Sequence, residues 1–443
     1  IWFLESFALN TADVYSALWE MKESGYFKYT SGFIFGKPAI CENEYNISYE
    51  ETLKDALGDL HVPVIYNADI GHVQKNIVNS DMAVITLPMK PHRKEKIGMI
   101  VIPSIADVLA KRIGAKSYLG INLMDSYVKR SDFVDDYYNL LYQMDIDVDD
   151  VWVDTENEPE LFSNVQKLID NGFIKEKKLK VLRCPCGVID MKSGSANDFV
   201  TKRSYIMKDN EVYCKECGEK CRDSIEKVLV FNASNIDFKS KTLPSRIAKD
   251  QLEFHKRLKD EDILVSRVRD TKVPVVVNGT KYNIDIDFAA LTYLSCFDEN
   301  QRVIIGSNHH VYQMYMMQLL QQCLENESEN LYVAVPYVRP PADVPFDLKK
   351  ELFSLSNSSR ESYIFGSAFK FKNTVNTWSP DLLKCIGKLN ESEAQRLYEK
   401  MTTPITISKD ESLEKHVNNA VNKTNIQRML NEVRNKKDSE YEK

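Results

Sequence analysis

The sequence predicts an α/β protein: parallel α/β units of the nucleotide-fold type, a cysteine-rich insertion, and a short helical C-terminus. Three observations predict it. Apolar strand-like runs alternate with helix-period segments from residue 1 to about residue 170. Five of the nine cysteines crowd into residues 184–221, which points to a small metal-stapled element. Beyond Glu391 the patterning is helical only.

Composition sets the bounds. At 443 residues the chain has room for about two to four domains. A hydrophobic content of 43% and a charged content of 28% supply large cores and exclude wholesale disorder. The net charge of −7 argues against unaided affinity for nucleic acid, which needs a basic face to release counterions. No run of 18 apolar residues is present, so no membrane-spanning helix is expected. The chain starts on Ile1 within a strand-like segment and shows no signal-peptide pattern, which reads as a fragment or trimmed chain. Clustered cysteines fit a metal site in a reducing compartment better than a disulfide frame, so a cytoplasmic location is expected.

Along the first ninety residues the elements follow in order. Trp2 to Glu5 reads as a buried strand ending in a carboxylate. Val14, Leu18 and Met21 mark a helix closed by Gly25. Gly32 to Phe35 is a second strand, Tyr49 to Leu57 a helix, and Val62 to Tyr66 a third strand. Gly71-His72 follows that strand, on a loop at the strand end where parallel folds place chemistry.

The segment resembles the C-terminal domain of the serine LD-carboxypeptidases, a family that includes the microcin C self-immunity peptidases. IWFLE at 1–5, ESGYFKYTSGFIFGK at 23–37, VPVIYNADIGH at 62–72 and SDMAVI at 80–85 carry the resemblance. It implies a domain over 1–88 and a Ser-Glu-His triad acting on peptide or acyl-amide bonds. Glu5 and His72 occupy the Glu and His positions, with His72 the base and Glu5 orienting its second nitrogen. The family carries its serine and oxyanion hole in an N-terminal domain, and none precedes Ile1, so the expectation is a peptidase domain lacking its serine partner.

PMKPHRKEK at 88–96 reads as a linker, taken as 89–96. Ile97-Gly98 reads as a turn and Ile100 to Ile102 as an apolar run leading to Pro103. A helix is then expected from Ile105 through Val108, Leu109 and Ile113, and a strand over Tyr118 to Leu123. Asp132 to Met144 is an amphipathic helix, Val151 to Val153 a short strand ending at Asp154, and Leu161 to Ile169 a helix stopped by Asn171-Gly172. His309-His310 are adjacent rather than four apart, so they do not make a metal pair on one helix face. Met314, Met316 and Met317 read as core.

In the insertion, Cys184-Pro-Cys186-Gly opens and Cys214-Lys-Glu-Cys217-Gly closes, with Cys221 following. A Cys-x2-Cys-Gly knuckle lets two thiolates share one tetrahedral metal while the glycine permits the tight backbone. Cys184, Cys186, Cys214 and Cys217 are the expected ligands of a structural zinc in a ribbon over 183–222, with Cys221 the spare or a substitute. Four thiolates leave no open position for catalysis.

Residues 94–390 resemble the class I aminoacyl-tRNA synthetases of the methionyl-type subgroup, with the domain itself taken as 97–390. The matching stretches lie in family order: IADVLAKRIGAKSYLGINLMD, MDIDVDDVWVDTE with LIDNGFI, DILVSRVRDTKVPV, VIIGSNHHVYQMYMM, and FKFKNTVNTWSPDLLKCIG. The resemblance implies a Rossmann-like class I synthetase fold with the zinc ribbon inserted, and a site for ATP or an aminoacyl-adenylate-like ligand. Counting back eight positions from Asp107 places the first ATP signature on Lys96-Ile97-Gly98-Met99: the glycine is kept and both histidines are replaced. Gly306 and Asn308 fall at the strand end that meets the ribose, where the family has Asp for Asn308. Lys370, Lys372 and Thr374 fall in the second signature, whose middle lysine is Asn373. Each lost transition-state group costs about 2–4 kcal/mol, so ligand binding is expected to survive better than adenylate synthesis.

The family appends a helical anticodon-binding domain, whereas Glu391 to Met401 and Leu413 to Val433 are the helical segments of a 391–443 tail. That tail and the negative charge argue against tRNA as a partner. The expectation is a fusion of a truncated LD-carboxypeptidase-like domain with a degenerate synthetase-like module that binds a nucleotide and an amino acid. The alternatives are an active aminoacyl-tRNA ligase using Lys96 and Lys370, and an immunity-type peptidase whose second part only binds or supports.

Overall fold

The computed structural model describes residues 1–4, 10–36, 47–68, 81–89, 97–124, 134–185, 187–189, 205–214, 217–266, 272–339, 348–368, 375–377, 386–387, 389–402 and 412–421. Contacts divide the chain into Ile1–Ile77 and Val78–Lys443.

The first unit is a three-stranded parallel sheet, Trp2–Leu4 beside Phe33–Gly36 beside Val64–Ala68, wound with helices Thr11–Glu23 and Tyr49–Leu57. Sequence-adjacent strands pair in parallel, Trp2 opposite Phe33 and Phe33 opposite Val64, because a helix returns the chain each time. Asn10 caps the first helix by accepting from the Asp13 N–H at 2.8 Å. Ser48 and Glu51 form a reciprocal capping box on the second. Val14, Leu18, Leu53, Ala56 and Leu57 pack on Phe33 and Phe35 to make a small core. At the helix junction Lys22 Nζ donates to both the Ala56 carbonyl (2.8 Å) and Asp59 (3.0 Å).

The second unit is built on a six-stranded, all-parallel sheet. Across it lie Thr242–Leu243, Glu329–Val335, Gln301–Ser307, Met82–Thr86, Lys116–Ile121 and Asp150–Val153. Alternation divides each strand between two cores. Val84, Val303, Ile305, Leu331 and Val333 face one core, and Ala83, Ile85, Ile304, Tyr332 and Ala334 the other. The first core is closed by the helices Ile97–Ile113, Val134–Gln143 and Asn357–Ala368. The second is closed by Glu158–Asp170 and Val311–Cys323. Met314, Met316 and Met317 are buried there, as core residues.

Two expectations are corrected. Resemblance assigns Ser80–Ile85 to the first segment, yet Met82–Thr86 is a central strand of the second unit. Its five buried residues, read with no downstream pairing in view, fit either sheet. Likewise Ile97–Ile102 is not a turn and apolar run. A single helix spans Ile97–Ile113 and passes through Pro103. Proline lacks the N–H that would bond the carbonyl four residues back, Met99 O. The buried Tyr137 hydroxyl donates to that carbonyl instead, at 3.1 Å. A partner on another helix thus offsets the lost-bond part of the penalty that makes proline a helix-start signal.

The insertion is antiparallel. Ile174–Cys184 pairs with Arg222–Phe231 along ten residue pairs, flanked by Gly187–Ile189 and Ile263–Leu264. Tyr205–Lys208 and Glu211–Cys214 form a separate hairpin turning on Asp209-Asn210. At the end of the chain, helices Glu391–Thr402 and Leu413–Ala420 pack on the first core through Leu397, Leu413 and Val417. The expected helix out to Val433 is seen to Ala420, and residues 422–443 lie outside the described residues.

Candidate functional site

Sequence order in the large sheet reverses at one place. From Met82–Thr86, the next strands in the chain lie to one side (Lys116–Ile121, then Asp150–Val153). Gln301–Ser307 and Glu329–Val335 lie to the other. Such a reversal sends the two connections to opposite faces and opens a crevice beyond the carboxyl ends of the strands.

The backbone shows the divergence residue by residue. Leu87 N–H still bonds to Ile305 O at 2.9 Å. Two residues later Met89 has changed sides: its N–H donates to Gly120 O, and its carbonyl accepts from Asn122 N–H, each at 2.9 Å. Thr86 Oγ1 accepts from Gly120 N–H at 2.9 Å, filling the gap left by the crossing. The crossing requires Gly120. A Cβ there would lie 2.8 Å from Thr86 O and 3.0 Å from the Pro88 backbone. Gly306, on the other side, would set a Cβ 2.1 Å from Leu87 Cδ1 and 2.7 Å from Met314 Cε.

The next strand end is held by Asp154. Fully buried, its carboxylate accepts from the N–H groups of Leu123 (2.7 Å) and Met124 (3.2 Å). Burial pushes its pKa up to about 6, opposed by these backbone donors. Close by in the chain, Asn122 Oδ1 is buried with no hydrogen-bond partner among the described residues. An orphaned acceptor at the carboxyl edge is a feature a ligand donor would satisfy.

Of the residues expected to hold a nucleotide, Gly98, Met99, Gly306 and Asn308 are described. Gly98 is exposed in the first turn of helix Ile97–Ile113, and a Cβ there would meet nothing within 4 Å. Met99 is 4% exposed and faces the core, so it offers the site no donor. Gly306 is the penultimate residue of its strand, and Asn308 opens a short 3-10 turn, half-buried, with the exposed His309 and His310 behind it. Lys96, Lys370, Lys372 and Thr374 lie outside the described residues, as do Glu5 and His72 of the first unit. Sequence reading missed Gly120 and the role of Asp154. A glycine inside a buried strand and an acid one residue past a strand were the available signals.

The cysteines form a second centre. Cys184 ends the long strand and Cys214 ends the hairpin. Cys217 follows on a turn completed by Gly218 at φ +72°. Gly218 N–H bonds to Cys214 O at 3.0 Å, the knuckle geometry expected of Cys-x2-Cys-Gly. The Sγ atoms of Cys184, Cys214 and Cys217 all lie within 4.8 Å of one another. Thiolates on a tetrahedral zinc stand about 3.8 Å apart, so the donor set fits. Cys186 lies outside the described residues. Cys221 is buried and hydrogen-bonded to Cys184, within electrostatic reach of Cys214 and Cys217.

Comparison with known proteins agrees with this architecture. Residues 1–80 match the family model of the LD-carboxypeptidase C-terminal domain. Three structures of Mycobacterium tuberculosis methionyl-tRNA synthetase are similar in fold. The complex with methionyl-adenylate aligns at TM-score 0.53 and 12% identity over 80% of this chain and 82% of that one. The apo form aligns at 0.54 and 11%, over 80% of each. A second structure bound by methionyl-adenylate aligns at 0.50 and 12%, over 71% and 70%. At such identity the likeness is one of fold. No curated protein sequence matches the chain. Among the described residues no helix is long and apolar enough to cross a membrane.

Proposed function

We propose that residues 78–443 bind a nucleotide, ATP or an aminoacyl-adenylate-like molecule, in the crevice at the sheet reversal. The observation that carries this reading is the splayed backbone at Thr86–Met89, with Gly120 and Gly306 on either side and the orphaned Asn122 Oδ1 at its edge. Gly98 at the helix start and Gly306 and Asn308 at the strand end would contact the ligand. Lys96, Lys370, Lys372 and Thr374 are the groups proposed to face its phosphates. The methionyl-tRNA synthetases that share this fold bind methionyl-adenylate, which supports the ligand class.

The first signature has no imidazole and Met99 is committed to the core. Of the side chains in the two signatures, lysines are then the ones proposed to stabilise the transition state of phosphate chemistry. Binding without rapid adenylate synthesis is therefore the proposed activity. Isothermal calorimetry with ATP, and with a non-hydrolysable aminoacyl-sulfamoyl adenosine, tests it. Saturable binding with little ATP–pyrophosphate exchange across a panel of amino acids is expected. Strong exchange that Lys370→Ala abolishes would establish the ligase alternative, and no binding of either compound would remove both readings.

The cysteine cluster is proposed as a structural zinc site: Cys184, Cys214 and Cys217 with Cys186 or Cys221 as the fourth ligand. Metal there would tie the hairpin to the end of the long strand. For the first unit the match to the LD-carboxypeptidase C-terminal domain supports a peptidase role, with His72 as base and Glu5 orienting it. The nucleophile would come from a serine-bearing domain. Hydrolysis of an LD-linked peptide by this unit joined to such a domain, lost in His72→Ala, is the expected result.

A further inference from the structure

Cys221 stands where the two strand systems of the insertion meet. In the long ladder Arg183 lies opposite Arg222. One step further, the same register sets Cys184, the last residue of its strand, opposite Cys221. On its other side Cys221 joins the hairpin. Its N–H donates to Val212 O at 2.8 Å, Lys220 bridges to Tyr213, and Cys214 N–H donates to Glu219 O at 2.9 Å. Cys221 therefore has Cys184 as its cross-strand neighbour and Cys214 as a diagonal one.

Side-chain direction follows from that register. Opposed residues of an antiparallel pair share a face, and so do residues two apart along one strand. Cys184 and Cys221 thus project from one face of the ladder, and Val212, Cys214 and Cys221 from one face of the hairpin. Burial agrees. Cys184 and Cys221 are 5% and 7% exposed, whereas their neighbours Arg183 and Arg222 are exposed. Leu182, Tyr205 and the partly buried Val212 complete an apolar cluster around Cys184, Cys214 and Cys221. An apolar shell of this kind controls solvent access to a metal and its ligands.

Residues 174–231 contain no histidine, so the fourth soft donor that the insertion can supply is Cys186 or Cys221. Cys221 is in hydrogen-bond contact with Cys184, one of the three convergent thiols. Its Sγ lies outside the set of three that fall within 4.8 Å of one another. The two ladders already place its backbone, so closing the site asks for rotation about the Cys221 Cα–Cβ bond.

We propose that Cys221, and not Cys186, is the fourth ligand of the zinc. This rests on the reading of the cysteine cluster as a structural zinc site. The metal would then hold three pieces of chain at one point: the end of strand Ile174–Cys184, the Cys214–Cys217 knuckle, and the segment that leads from the knuckle into strand Arg222–Phe231. The knuckle supplies two ligands, and a cross-strand pair supplies the other two.

The test compares Cys186→Ser and Cys221→Ser with the unaltered full-length chain. Zinc is measured by inductively coupled plasma mass spectrometry, and the number of thiolates by the sulfur-to-metal charge-transfer absorption of the cobalt(II)-substituted protein. The unaltered chain should carry about one zinc and show the intensity of four thiolates. Cys186→Ser should match it in both measurements. Cys221→Ser should lose its metal. Cys221→His, able to ligate through a ring nitrogen, should regain metal with an absorption lower by about one quarter, which separates lost ligation from lost folding. A Cys186→Ser chain that loses metal, or a Cys221→Ser chain that keeps metal at full intensity, would overturn the assignment and leave the zinc reading standing. An unaltered chain that binds neither zinc nor cobalt would overturn both.

Discussion

The cysteine centre and the crevice at the sheet reversal are built from opposite materials. At the cysteine centre the chemistry is in the side chains. Three thiols converge because a four-residue knuckle and a strand end place them there, and any backbone that brings them together would serve. At the crevice the chemistry is in the path of the main chain. Leu87 and Met89 bond to different neighbours, and glycines at 120 and 306 let the strands approach. The difference teaches where each site should be fragile. The first depends on residue type and tolerates backbone change. The second depends on the absence of a side chain and has few residue types to lose.

The comparison predicts a graded series. Cys214→Ser should have the largest effect. Metal content by inductively coupled plasma mass spectrometry should fall from about one zinc per chain to near none, since each closed-site ligand is indispensable. Hydrogen exchange should then rise across 174–231 and stay low in Val84, Ile304 and Val333 of the sheet. Collapse of protection in both regions would erase the distinction.

Gly120→Val should come next. Its Cβ is driven against backbone atoms of Thr86 and Pro88, which cannot rotate away, so a loss of about 3 kcal/mol is expected in urea unfolding. Gly306→Ala meets mostly the ends of Leu87 and Met314, which can shift, and should cost less, about 1–2 kcal/mol. Equal costs at the two glycines would show that the crossing is not the constrained feature.

Asp154 gives a pH signature. Its folded pKa, about 6, is above the ordinary 3.8, so the folded state holds the proton more tightly than the unfolded state between those values. Stability from this group is therefore present at low pH and is lost as pH rises from about 4 to about 6, by about 3 kcal/mol. Asp154→Asn should flatten that segment of the stability–pH curve, measured by thermal unfolding across the range. The smallest effect belongs to Tyr137→Phe. It leaves Met99 O unpaired beside Pro103 and should cost about 1 kcal/mol, with the helix retained by circular dichroism.

Much of the fold was legible because periodicity reports burial. The strand–helix alternation of the first unit, the helix at Glu158–Asp170 and the buried methionines after His310 all follow from apolar spacing. The cysteine knuckle was legible because its ligands are close in sequence and glycine supplies the left-handed turn at 218. Cys184 was harder to place, since thirty residues separate it from Cys214 and only the strand pairing of Ile174–Cys184 with Arg222–Phe231 brings the ends together.

What the chain determined by itself, then, was the kind of most elements and the place where its cysteines cluster. Both are local properties, set by side-chain chemistry and by three or four residues of spacing. The tertiary structure decided the rest. It moved Met82–Thr86 into the larger sheet, because a five-residue buried strand is indifferent to its partner until distant strands compete for it. It carried the helix through Pro103, because a hydroxyl from Tyr137 replaced a bond the sequence could only count as lost. And it made Gly120 and Gly306 points of close approach beside the sheet reversal, because only packing between segments far apart in the chain gives a missing Cβ its meaning.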